Sequence, residues 1–202
     1  MTTTTLDTPH ASEESRAKRL KASTQPVHDR LDTRIMAGEP FRDRARYALF
    51  LKVQYLFHRD IDALYRHPAP GALLPDLGSR SRLAAIGQDM ADLELAVPDV
   101  GAAPLFDGSN IDLARVFGWL YVAEGSNLGA AFLLKAAASL GLDADFGARH
   151  LAGHSDGRAQ HWREFIAVLD ALRLTPEEDE RVIAGAEAAF SRFQQLVDAT
   201  FA

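Results

Sequence analysis

The chain has 202 residues, 47% hydrophobic and 25% charged, with a formal net charge of −6, which is the make-up of an ordinary globular protein with one sizeable core. It holds no cysteine; that excludes disulfide bridges, thiolate ligation and cysteine nucleophiles, and fits a reducing cytoplasm. The acidic balance argues against nonspecific nucleic-acid binding, no apolar run reaches the ~18–20 residues of a membrane span, and the start has no secretory pattern, so neither nucleic acid nor membrane is expected as a partner.

In chain order, residues 1–12 are threonine-rich and read as a flexible tail, leaving 13–202 as one domain. A first amphipathic helix carries Thr24, Val27, His28, Leu31 and Ile35 on one face, with Pro26 expected to kink or restart it. After Gly38-Glu39-Pro40 a long amphipathic helix is expected from about Asp43 to Tyr65, with Tyr47, Phe50, Leu51, Gln54, Tyr55, Phe57, Ile61 and Leu64 on its stripe. A Pro/Gly-rich connection follows at His67–Gly71, then a shorter helix over Ser79–Leu95 and a loop over Val97–Gly108. The longest apolar segment runs from Asp107 to Leu140 and stops at Gly141. Beyond the loop 142–156, helix returns over Gly157–Leu172. Thr175-Pro176-Glu177-Glu178 is a capping-box start for a last helix to about Ala199. No alternating β pattern appears, so the fold class is all-α, with seven or eight helices.

Two features could carry chemistry. Gly125 and Gly129 sit one turn apart on one face of the apolar helix, each costing roughly 0.5–1 kcal/mol against alanine. Either they let another helix approach closely, or a flat ligand lies against bare backbone. Seven histidines are present, without the spacing of a zinc or di-iron site. His28 alone combines an apolar helical stripe with neighbouring carboxylates, Asp29 and Asp32. A neutral imidazole in that setting can ligate haem iron through one nitrogen while the other is hydrogen-bonded.

Thr24-Gln25-Pro26-Val27-His28-Asp29-Arg30-Leu31, followed far downstream by Trp119-Leu120-Tyr121-Val122-Ala123-Glu124-Gly125-Ser126-Asn127-Leu128-Gly129-Ala130-Ala131-Phe132-Leu133, resembles the bacterial haem oxygenases. The likeness is to the branch of Gram-negative pathogens and bacteriophytochrome neighbours. It continues through Phe146–Leu151 and Gly157–Trp162 into the last helix. The resemblance implies haem b, substrate and cofactor at once, sandwiched between a proximal helix that supplies His28 as iron ligand and a kinked distal helix through Gly125 and Gly129. It implies cleavage of haem to biliverdin, ferrous iron and carbon monoxide with O2. It also implies Lys21 and Tyr121 as propionate partners, and contacts from Ser126, Asn127 and Phe132. In the resembled branch, a lysine and a tyrosine at these places give the α isomer. Relatives with the other regiochemistry keep lysines where this chain has Met36 and Ala136. Many family members place an aspartate on the distal helix; here Ala130, Ala131 and Phe132 follow Gly129, so proton delivery falls to backbone, water or another helix.

No flavin or nicotinamide fingerprint is present. Electrons are therefore expected from a ferredoxin or a flavin reductase, and a monomer is compatible with the sequence. The alternatives are a carrier or sensor that binds haem without degrading it, a haem-free enzyme of the thiaminase-like group, against which the lack of cysteine counts, and a helical domain whose glycines only pack helices.

Overall fold

Side-chain caps decide where the helices of this computed structural model begin; it describes residues 15–99 and 101–201, so the tail 1–12 lies outside the described residues. Ser15 accepts from the Lys18 amide to start α1 (Arg16–Ala37), and Asp43 from the Arg46 amide to start α2 (Arg44–Arg66). Asp112 accepts from Ala114 and Arg115 at the head of α5 (Leu113–Ala137). Thr175 and Glu178 close the expected capping box at α7 (Pro176–Thr200). Between them lie α3 (Pro68–Leu73), α4 (Leu83–Asp92) and α6 (Arg158–Ala171). The described residues form seven α-helices with three short 3₁₀ turns and no strand.

Four boundaries differ from the sequence expectation. α1 runs through Pro26 without restarting; the carbonyl that loses its partner to the proline belongs to Ala22, which is exposed and open to water. The Pro/Gly connection contains α3, because Pro68 suits a first helical position and the His67 ring accepts from the Ala69 amide. The helix expected over Ser79–Leu95 divides into a 3₁₀ turn at Leu77–Arg80 and α4. The long apolar helix starts at its Asp112 cap, not at Asp107.

The most extensive packing is between α5 and α7. A Cβ on Gly118 would come within 2.1 Å of the Val182 carbonyl oxygen, and one on Gly185 within 2.2 Å of the Arg115 carbonyl oxygen. The two backbones touch, so the close-packing explanation weighed for the α5 glycines belongs to Gly118. Phe117, Leu120, Val182 and Ala186 fill the core beside the crossing, while Tyr47, Leu51, Ile86 and Leu142 build a second cluster around α2 and α4.

Gly118→Ala and Gly185→Ala should each cost about 3 kcal/mol or more, beyond the usual range for one added methyl because backbone must move. In thermal unfolding that is a fall of roughly 6–12 °C. Gly87→Ala in α4, where nothing lies within 4 Å of the added carbon, should leave the melting temperature unchanged or raise it.

Candidate active site

α1 and α5 make little direct contact, and between them opens a cavity of about 720 Å³, within the range of small-molecule and cofactor sites. Its apolar wall includes Phe50, Phe57, Val122, Leu133, Phe190 and Phe193. At the rim Met36, Leu128 and Phe132 are 47%, 43% and 68% exposed. Three large apolar side chains facing water around one opening suit a ligand that is itself broad and apolar.

His28 enters this cavity from α1 with half its side chain exposed. Its Nδ1 lies 3.4 Å from Asp32 Oδ2, one turn on, and 3.6 Å from Asp29 Oδ1, and its ring meets Phe190 edge-on with centroids 5.8 Å apart. A carboxylate at Nδ1 favours the proton there and leaves the Nε2 lone pair available as a ligand. Gly125 and Gly129 line the cavity from α5. A Cβ on Gly125 would touch the Trp162 ring at 3.4 Å, whereas one on Gly129 would meet nothing within 4 Å. The bare backbone at Gly129 therefore faces open cavity, a place that a side chain would fill.

Most of the other expected site residues converge here. Lys21, Tyr121, Ser126 and Phe132 all line the cavity. The Tyr121 hydroxyl shares a hydrogen bond with buried Thr24, and burial raises its pKa; the Ser126 hydroxyl donates to the Ala123 carbonyl at 2.7 Å. Asn127 does not join them. One residue beyond Ser126 turns it about 100° around the helix, and it lines a smaller polar pocket on the other side of α5, where Arg158 donates to its carbonyl at 2.9 Å. Met36 is in the cavity lining and half-buried Ala136 is outside it.

The sequence did not single out the polar groups at the back of the cavity. His58 and Gln54, one turn apart on α2, both line it. His58 is buried, its Nδ1 has no partner among the described residues, and burial, with His150 and Arg82 nearby, pushes its pKa down to about 3. His150 binds Asp89 through Nδ1 at 2.8 Å and leaves Nε2 equally unpartnered, as is the Nε of Arg82. Buried groups of this kind call for ordered water. The available signal was spacing: His58 follows Gln54 by four residues and precedes Ile61 by three, on the buried stripe itself.

Behind the glycines, Glu124 accepts from the Tyr65 hydroxyl at 2.9 Å and from Arg80 Nη1 at 3.2 Å. Burial raises the Glu124 pKa against the pull of Arg80 and Tyr65. Arg80 also binds Asp76, Glu164 and the His161 carbonyl. This buried hub ties α5 to α2 and α6 at the residue preceding Gly125.

The sequence profile of the family described as Heme oxygenase matches residues 14–199. The chain is 46% identical over 187 residues to "Heme oxygenase PigA" of Pseudomonas aeruginosa, covering 93% of each protein. Its structure is similar to that of the NO- and CO-bound haem oxygenase from Neisseria meningitidis, with a TM-score of 0.86 and 41% identity, covering 93% of this chain and 92% of that one.

His58 is held neutral in the folded protein but takes a proton near 6.5 when unfolded. The unfolded state thus binds more protons below that pH, and stability present above 6.5 is lost as pH falls toward 3. His150, also lowered by burial, acts in the same direction. From His58 alone the loss should reach about 2 kcal/mol at pH 5. Urea unfolding at pH 7.5 and pH 5 measures it, and His58→Gln should flatten the difference; an equal fall in that variant would assign it to other groups.

Proposed function

The chain belongs to the haem oxygenase family, and from that premise we propose that it cleaves haem to biliverdin, ferrous iron and carbon monoxide, using O2 and external electrons. The observation that carries this is the cavity with an imidazole on one wall and side-chain-free helix backbone on the other. As substrate, haem supplies the iron at which oxygen is activated and the meso carbon that is oxidised.

The chain's own residues divide the remaining work. His28 ligates iron through Nε2, and Asp32 holds the Nδ1 proton, fixing the tautomer and strengthening the ligand. Gly125 and Gly129 bring backbone against the opposite face, so that the bound gas is steered by shape, with no acidic side chain on that helix face. Lys21 and Tyr121 hold the propionates; a charge-assisted contact from Lys21 is worth roughly 1.5–3 kcal/mol, enough to fix how haem is rotated. Met36, Leu128 and Phe132 cover the apolar edge. Water held by His58, His150 and Arg82 supplies protons from behind. Electrons come from a ferredoxin or flavin reductase docking at the open mouth of the cavity.

Titration with hemin should give a one-to-one complex with a histidine-ligated Soret band that decays to biliverdin absorption under air with ascorbate or reduced ferredoxin. His28→Ala should lose that spectrum and nearly all turnover until imidazole is added. A stable Soret band under reduction would instead make the protein a haem carrier, and full turnover by His28→Ala would remove His28 as ligand.

The main product should be biliverdin IXα. Lys21→Asn combined with Tyr121→Phe should mix the isomers by tenfold or more while turnover persists, as read by chromatography. Mostly β and δ isomers from the parent protein would overturn the assignment of these anchors.

A further inference from the structure

We propose that the small polar pocket behind α5, flanked by His154 and His161, is the port through which protons from solvent reach the back of the haem cavity. The proposal rests on the haem oxygenase reading and assigns that site an entrance. The pocket is lined by Arg82, Glu124, Asn127, His154, Arg158 and His161, and shares Trp162 with the wall of the large cavity. Its volume of about 10 Å³ suits a single water, and polar groups surround it.

Arg82 lines this pocket, and its charge reaches His58 in the cavity lining. Its Nη1 donates to the Ala152 carbonyl at 3.1 Å, and its buried Nε has no partner among the described residues. The guanidinium is near enough to depress His58 and His150 on one side and to act on Glu124 and Arg158 on the other. A guanidinium does not give up its proton; it holds water by donating to it. A water at Nε is the proposed link from the pocket toward the nitrogens of His150 and His58, which have no partner among the described residues.

At the outer end the His154 and His161 rings stack, centroids 3.7 Å apart and 21° from parallel. Asp156 lies 3.5 Å from His154, and Asp76 3.7 Å from His161. His161 is also faced by Arg80, which binds its carbonyl, and by Glu164. Burial, Arg80 and His154 lower its pKa against Asp76 and Glu164. His161 gains a proton at one nitrogen and releases one from the other, so its charge is restored and no electrons move; the His154 Nδ1 accepts from the Asp156 amide at 3.3 Å, so His154 takes up and releases its proton at Nε2. Asp76, His161 and Glu164 also lie within 4.8 Å of one another, but Arg80 already binds both carboxylates, which makes the cluster an arginine cage and leaves the imidazoles to protons.

The test uses the haem-loaded enzyme and the variants His154→Gln and His154→Gln/His161→Gln. Both should keep the parent hemin affinity and Soret band. Turnover of the double variant should fall about tenfold at pH 8, decline more steeply with rising pH, show a larger H2O/D2O effect, and recover as phosphate concentration rises. The single variant, in the loop before α6, should shift in the same sense, so the outcome does not hang on folding of the double. A pH profile and isotope effect equal to the parent's, or a loss accompanied by weaker haem binding that phosphate does not restore, would overturn the port. Absence of biliverdin from the parent would instead overturn the haem oxygenase reading itself.

Discussion

Where α5 crosses α7, Gly118 faces Val182 and Ala186 while Gly185 faces Arg115, with no side chain between the two backbones. Close contact of this kind maximises dispersion and tolerates no displacement. It fixes the first half of α5 to the core, so that about two and three turns further on, along the same face, Gly125 and Gly129 can line the cavity without a helix backbone packed against them. The cavity persists because its distal wall is anchored further up the same helix, at the α7 crossing, and not by contact with α1.

The buried hub reinforces the same wall. Arg80 and Glu124 have side chains 1% and 2% exposed, and such a pair commonly contributes little net stability because desolvation offsets attraction. Its value is positional. Tyr65 from α2, Arg80 from the 3₁₀ turn and the α6 backbone all meet at the residue before Gly125, and removing one partner leaves an uncompensated charge inside the protein. Apolar packing sets the distance of the helix from the core, and the polar hub sets its rotation.

Much of this was legible in the sequence. The capping box at Thr175 and the breaks at Gly38 and Gly141 placed helix ends to within a few residues, whereas the Asp112 cap went unread and the long apolar helix was begun too early, at Asp107. The stripe through Thr24, His28 and Ile35, together with Gly125 and Gly129, indicated both walls of the cavity. Asn127 lines the small polar pocket and not the large cavity with its neighbours, because each residue turns 100° around the helix, which a motif read as a string does not show. His58 carried a signal in its place on the buried stripe of α2, but Arg82 and His150 had none: they come from other elements, and each looks ordinary in its own stretch. Their role appears only when burial leaves their nitrogens without partners.

Gly125 and Gly129 are four residues apart on one helix, yet they answer to different judges. At 125 a side chain would press on Trp162, within the protein; at 129 it would press on nothing the protein owns. Alanine at 129 would even favour the helix by roughly 0.5–1 kcal/mol, so stability alone pulls that position away from glycine. In a lineage that no longer degraded haem, Gly129 would be the first of these residues to drift. Gly118 and Gly185 would stay as long as the fold did. Position 129 thus records, in a single residue, whether a descendant of this chain still has a ligand to accommodate.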